Sequence, residues 1–400
     1  MKVSSRVSKL KNSPIRKLVP YADKAEEKGL KVIHFNIGQP DLPTPHDFFD
    51  AVKGYDTNVL GYANSRGIKR TLETIQLYLY NYGLDFDLDE IVITNGASEA
   101  LIFSLMASLD YGDEVITMEP FYTNYTSFVE MIGGKLVAIE TNIEDNFKIP
   151  DIEKWEEKIS DKTKAILVCS PSNPTGRVYR KEELDIIVEL ALKYDLFIIS
   201  DEVYREFNYT DLPFISFADY ENIQDNVILL DSMSKKYSQC GARIGSIASK
   251  NKEMMDNILK LCQARLAVST LDQIGAGAMD IVDDEYVYEN RRIYKRRRDV
   301  LGDRLKKIDN ISSSNPEGAF YTMVRLPVDD AEKFSIWTVE NVEVDGYTIL
   351  LTPAEAFYKT KNKGKNEVRI SYCIDEKLIN KGIDVLEKAL KEYPGLKPFK

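Results

Sequence analysis

The middle of the chain alternates between two hydrophobic periods. Short runs of consecutive apolar residues, at 91–94, 114–118, 165–169, 196–200 and 227–231, have strand length and are rich in Val, Ile and Leu. Between them lie stretches with apolar residues three and four apart, notably 98–109 and 181–194, a spacing that predicts helices. Strand, helix and strand at this spacing predict βαβ units. Unbroken apolar strands predict a mostly parallel sheet with helices on both faces, so the expected fold class is α/β.

Beyond about residue 280 the texture changes. Residues 280–308 form a long charged helical stretch, followed by alternating strands at 319–325 and 367–372 and a closing helix at 376–393. This pattern predicts a smaller α+β domain over 281–400 beside a large domain over 46–280. Residues 1–45 read as an arm joining the small domain, since little ahead of Tyr62 has sheet character.

Composition narrows the function. The 400 residues carry 53 Lys and Arg against 64 Asp and Glu, a net charge of −11, which excludes a protein-wide basic surface for nucleic acid. The run Arg291, Arg292, Lys295, Arg296, Arg297 and Arg298 reads as a solvated helix face balanced by Asp283, Asp284, Glu285 and Glu289. Two histidines, His34 and His46, are too few for a multi-histidine metal site, and no metal is expected. Cys169, Cys240, Cys262 and Cys373 form no CxxC pair, which fits a reducing, cytoplasmic setting. No apolar run approaches the length of a bilayer span, so no membrane partner is expected. The start carries Lys2, Arg6, Lys9, Lys11, Arg16 and Lys17 without an apolar core, and reads as an arm packed on the fold, not a signal peptide.

In an open parallel sheet, ligands bind beyond the carboxyl ends of the strands. After 91–94 come Asn95, Gly96, Ala97, Ser98 and Glu99, either an ordinary turn or a phosphate cradle with Ser98 as helix cap. After 165–169, Ser170-Pro171-Ser172-Asn173-Pro174-Thr175-Gly176 forms a rigid loop that holds the Asn173 amide. After 196–200 comes Asp201-Glu202-Val203-Tyr204, a carboxylate and a phenol three residues apart, or a capped turn. After 227–231 comes Ser232-Met233-Ser234-Lys235, then Gly241-Ala242-Arg243-Ile244-Gly245. Desolvation and nearby cations are expected to lower the Lys235 amine pKa and make it nucleophilic, with Ser232 and Arg243 holding a dianion beside it. The plainer alternative is two surface cations, with Lys236 next door. Pyridoxal 5′-phosphate suits all four loops: it needs an amine for its aldehyde, a carboxylate for its ring nitrogen, donors for its phenolate and an anion cradle.

On these residues the chain resembles the fold-type I pyridoxal-phosphate aminotransferases of the aspartate aminotransferase group. The resemblance runs from Phe35-Asn36-Ile37-Gly38-Gln39-Pro40-Asp41 to Arg369-Ile370-Ser371-Tyr372. The block from Ser232 to Gly245 matches the family's Schiff-base lysine signature. Gln239 is a departure, standing where the family usually has an apolar residue. The resemblance implies that Lys235 carries the cofactor and then serves as base and acid, and that Asp201 pairs with the ring nitrogen. It further implies that Asn173 and Tyr204 donate to the phenolate and that Tyr122 stacks on the ring. Ala97, Ser98, Ser232 and Arg243 bind the phosphate, and Tyr62 reaches it from the neighbouring subunit of a homodimer. Arg369 clamps the substrate carboxylate with Gly38 nearby.

The implied partners are small molecules, an L-amino acid and a 2-oxo acid such as 2-oxoglutarate. Arg265 falls near where aspartate-specific members place an arginine for the distal carboxylate, or else is a structural or interface arginine. The best expectation is aspartate or glutamate as donor. The alternatives are an aromatic or broad-specificity aminotransferase, a C–S β-lyase on the same fold and, last, a non-catalytic binding module.

Overall fold

The computed structural model describes residues 1, 3–8, 10 and 16–397. Lys2, Lys9 and Lys11 of the basic start lie outside the described residues. The largest sheet has seven strands in the order Ile91–Asn95, Ile244–Ala248, Val227–Ser232, Phe197–Asp201, Thr163–Cys169, Glu114–Glu119 and Lys135–Glu140. Neighbouring strands run parallel except Ile244–Ala248, which is antiparallel to both its partners. This is the α/β architecture that the unbroken apolar runs imply. Every residue of Glu114–Glu119 and of Val227–Ser232 is buried.

Side-chain alternation sends the sheet's apolar groups into separate cores. Ile116, Ile166 and Ile198 meet Leu184, Ile187 and Trp155 on one side. Val115, Leu167, Ile199 and Leu230 meet Leu101, Leu105 and Tyr125 on the other. The helices are Lys181–Tyr194 for the first core and Gly96–Ser108 for the second. That second core runs on without a break into the C-terminal part, through Phe320, Val368 and Ile383.

A smaller antiparallel sheet is built from Thr352–Pro353, Glu367–Ser371, Tyr321–Arg325 and Ser312–Ser313. The helices around it, Asp284–Leu305, Ala331–Asn341 and Glu376–Glu392, each begin at an aspartate (Asp283, Asp330, Asp375) whose carboxylate accepts first-turn backbone N–H groups. The sequence reading placed no strand ahead of Tyr62, and the structure corrects this. Lys31–His34 pairs in parallel with Tyr347–Leu350, and the helix Val19–Glu27 packs Ala22 and Ala25 against Val339 and Leu350. A four-residue strand with one fully buried position carries too short a pattern to read in isolation.

The charged helix is also not solvated throughout, as the sequence reading expected. Arg297 is buried and grips Asp41 with two bonds, Nη1–Oδ1 at 2.6 Å and Nη2–Oδ2 at 3.0 Å. Its neighbours do pair at the surface, Arg292 with Glu285 and Glu289, and Arg304 with Asp384 and Glu387. No helix among the described residues is long and apolar enough to cross a membrane.

Gly245 is where the strand Ile244–Ala248 passes closest to the turn ahead of Gly96–Ser108. A Cβ there would stand 2.6 Å from the Gly96 carbonyl carbon and 2.7 Å from the Ala97 nitrogen. Both are backbone, so neither can swing aside. Gly245→Ala is expected to cost about 1–3 kcal/mol of stability, read by denaturant unfolding. An unchanged midpoint would show that the turn is free to move.

Candidate active site

The parallel strands deliver their carboxyl ends to one cavity of about 580 Å³, closed on the other side by the small sheet. Eleven of the sequence-derived residues line it: Gly38, Ala97, Ser98, Tyr122, Asn173, Asp201, Tyr204, Ser232, Lys235, Arg243 and Arg369. Asp201 and Ser232 are the last residues of their strands. Tyr122 and Asn173 follow the ends of Glu114–Glu119 and Thr163–Cys169, and Arg369 comes from the small sheet.

Asp201 is buried. Tyr125 donates to its Oδ2 at 2.6 Å, and its Oδ1 is buried without a partner. Burial pushes the carboxyl up to about 6, with Tyr125 working the other way. The Lys235 amine donates to the Gly38 carbonyl at 2.7 Å, so the segment after Lys31–His34 reaches the lysine directly. Its pKa corrects the sequence expectation of a lowered value. Burial pushes it down, but the interactions with Tyr321, Cys240, Cys373 and Tyr122 carry it above the ordinary lysine value. Cys240 is five residues on in the same block, but Tyr321, Cys373 and Tyr122 are far from Lys235 in the chain, so its local sequence could not reveal them.

Arg369 is 2% exposed, stacked 4.3 Å from the Tyr321 ring centre. It donates to Asn173 Oδ1 at 3.0 Å and to the Asn36 carbonyl at 2.9 Å, while its Nε is buried without a partner. The bond to Oδ1 leaves the Asn173 Nδ2 as the free end of that amide. The Tyr204 hydroxyl lies 2.9 Å from that of Tyr321.

At the anion end, Ser98 does not cap the helix as expected. Asn95 holds that position and Ser98 lies inside the first turn, where its backbone N–H is still free of the helix ladder. Ser232 caps the short helix Met233–Lys236 by accepting from the Ser234 N–H at 3.1 Å. Arg243 adopts a left-handed φ of 56°, uncommon for a side chain with a Cβ, and its guanidinium lies over Gly96. Any side chain at Gly96 would collide with it, so the glycine keeps the cradle open.

Two sequence-derived residues stand elsewhere. Tyr62 is 86% exposed, off the cavity. Arg265 also lies off it, donating to the carbonyls of Ile93 at 3.2 Å and Ser65 at 3.4 Å, with Glu99 at 3.7 Å. The sequence reading missed Tyr125, Tyr321, Asn36 and Cys240 on the wall. Tyr125 lies in the first turn of the helix Asn124–Ile132, three residues after Tyr122, whose carbonyl accepts its N–H at 2.9 Å. Tyr321 had no local signal, because it arrives from the distant small sheet.

The cavity draws a buried acceptor, an amine and a buried guanidinium together. The family model for class I and II aminotransferases matches residues 31–386, and the chain belongs to this family of pyridoxal-phosphate-dependent, fold-type I enzymes. It is 34% identical to an aspartate aminotransferase of Thermotoga maritima, over 97% of this chain and 99% of that one. It is 33% identical to a (5-formylfuran-3-yl)methyl phosphate transaminase of Methanocaldococcus jannaschii, over 98% and 100%. Among solved structures, the crystal structure of the Thermotoga maritima aspartate aminotransferase superposes with a TM-score of 0.89 at 33% identity, covering 98% of this chain and all of that one. An alanine aminotransferase from Pyrococcus furiosus gives 0.88 at 30% identity, with the same coverage.

The raised Asp201 pKa makes a linked prediction for the chain without cofactor. Between about pH 4 and 6 the folded state binds more protons than the unfolded state, so stability falls as pH rises through that window and stays lower above it. Asp201→Asn removes this penalty while keeping an acceptor for Tyr125. It is expected to raise the cofactor-free chain's stability at pH 7 by about 2–3 kcal/mol, with the gain vanishing near pH 4. Equal urea midpoints at pH 7 would contradict the desolvation account.

Proposed function

We propose that the chain is a pyridoxal-phosphate-dependent aminotransferase that moves an amino group from L-aspartate or L-glutamate to a 2-oxo acid such as 2-oxoglutarate, in ping-pong fashion. The observation that carries this reading is the pair of buried atoms left without partners around one cavity, Asp201 Oδ1 and Arg369 Nε, with the Lys235 amine in the same cavity. A buried acceptor and a buried cationic donor are costly to leave unpaired. The first suits a protonated ring nitrogen and the second a carboxylate, so the residues fit the cofactor and an amino acid together.

When bound, pyridoxal phosphate supplies an aldehyde for the amino group and a protonated ring that accepts the electron pair left as the α-proton departs. The residues do the rest. Asp201 Oδ1 would accept the ring N–H and favour the charged nitrogen. Asn173 Nδ2 and the Tyr204 hydroxyl would donate to the phenolate oxygen, and Tyr122 would pack against the ring. The first-turn amides at Ala97 and Ser98, the Ser232 hydroxyl and Arg243 hold the phosphate. Arg369, helped by the Gly38 backbone, aligns the substrate carboxylate. That alignment would hold the α-proton within reach of the Lys235 amine, the group placed to take up and give back a proton.

We propose that the chain works as a homodimer with shared sites, in the cytoplasm. Tyr62 stands on an exposed strip with Val59 and Leu60, at 75% and 58% exposure, where a second copy would cover it and receive its hydroxyl.

The donor class rests on the Thermotoga relative's name, and the alanine and furan-phosphate transaminases at comparable identity keep a broader range in view. One observation favours that second reading. Arg265 already has Glu99 and two backbone carbonyls of its own chain as partners.

The deciding experiment is a panel of amino donors with 2-oxoglutarate, followed through the spectral change of the half-reaction. The purified enzyme is expected to show an absorption band from lysine-bound cofactor that Lys235→Ala abolishes. A Lys235→Ala protein with the same band would refute the assignment. Arg265→Ala is expected to lower kcat/KM for aspartate at least tenfold and spare alanine. Equal losses on both donors would make Arg265 structural and favour the broader range. Release of pyruvate and ammonia from a cysteine S-conjugate in place of transamination would indicate a β-lyase.

A further inference from the structure

On the far side of the reacting residues lies a set of charges that no step above uses. Asp201, Ser232 and Lys235 line the cavity, whereas their chain neighbours Glu202, Asp231 and Lys236 do not. Successive residues at a strand end face opposite ways, which turns Glu202 and Asp231 into the protein, and Lys236, in the short helix Met233–Lys236, is buried beside them. With Arg205 they are between 1 and 4% exposed. Glu202 takes Arg205 Nε at 3.1 Å and Nη2 at 2.7 Å, and accepts from the hydroxyls of Ser200 and Ser216. Arg205 Nη1 stands 3.7 Å from Asp231 Oδ2, and Lys236 Nζ donates to that same oxygen at 2.8 Å. The Asp231 Oδ1 accepts from the Ser232 N–H at 2.6 Å, and the Lys236 ammonium sits 3.1 Å from the Tyr78 ring centre.

The charges alternate along this line, from anion to cation and again. It begins at the residue after Asp201 and ends at the residue after Lys235. Burying four charges is rarely more stabilising than apolar packing of the same volume, so stability alone accounts for them weakly. Their placement accounts for them better. The line ties the two loops that carry the ring-nitrogen carboxylate and the reactive amine.

We propose that Lys236 is a positioning residue: by neutralising Asp231 it completes a buried charge chain, Glu202–Arg205–Asp231–Lys236, that holds the Lys235 turn in register with Asp201 and balances the charge behind both. This rests on the aminotransferase reading of the site. The electrostatic part has a definite sign. Asp231 is among the charges that raise the Asp201 carboxyl, so an Asp231 without its ammonium partner favours protonation there. Charged or titrating groups that face Lys236 are Asp231, Glu206, Arg205 and Tyr78. Those that face Lys235 are Tyr321, Cys240, Cys373, Tyr122 and Tyr204.

The test is a pH titration of the absorption band of the cofactor-loaded enzyme, a readout separate from turnover. Lys236→Met is expected to raise the titration midpoint by about one pH unit and to lower kcat with little change in KM. Asp231→Asn, which leaves the ammonium unbalanced, is expected to lower the midpoint by a similar amount. The double variant, with both charges gone, is expected to return close to the wild-type midpoint. Should Lys236→Met fail to fold, Asp231→Asn and the double variant still decide the question. Midpoints that stay at the wild-type value while thermal stability falls would assign the chain a structural role and overturn the proposal. So would a double variant that keeps the shift of either single one. A wild-type enzyme with no cofactor band at all would instead refute the aminotransferase reading itself.

Discussion

The site is organised around one carboxylate kept out of water. Asp201 ends a buried central strand, with Tyr125 on one oxygen and nothing on the other. In the cofactor-free chain that arrangement opposes folding, because charge is held where solvent cannot reach it. A carboxylate so placed is also a strong acceptor for a cationic N–H brought into the cavity. The local cost and the proposed chemistry have the same origin, the desolvation of one residue at a strand end.

The sheet topology is what makes that placement useful. Parallel strands discharge their chain at the same edge, so Tyr122, Asn173, Asp201 and Ser232 converge although about a hundred residues separate the first from the last. The small sheet then supplies the opposite wall through Arg369 and Tyr321. The parallel pair Lys31–His34 and Tyr347–Leu350 brings Asn36 and Gly38 over the top. Both ends of the described chain therefore close a site whose floor is built by its middle, and a change in how the small sheet packs would reach the lysine through the Gly38 carbonyl.

Around the reactive lysine the protein separates two uses of charge. Groups on the cavity wall are left with unmet capacity, as Asp201 and Arg369 are. Groups one residue away form ion pairs among themselves, Glu202 with Arg205 and Asp231 with Lys236, although Arg205 Nη1 has no hydrogen-bond partner of its own. The alternation of side chains at a strand end makes this separation possible within a few ångströms. It keeps the balanced charges from competing for a ligand.

The order of elements and the loops that carry chemistry were legible in the chain itself. Fully buried parallel strands leave unbroken apolar runs such as 165–169, and the residues just past them are adjacent to those runs in sequence. The antiparallel strand Ile244–Ala248, the short arm strand and the buried turn of Arg297 onto Asp41 were not legible, because each depends on a partner far along the chain. The direction of the Lys235 shift likewise needed tertiary neighbours, since Tyr321 and Cys373 come from the small sheet and its edge. Local patterning carries whatever a segment does with its own neighbours. Desolvation and charge pairing depend on distances that only the folded chain creates.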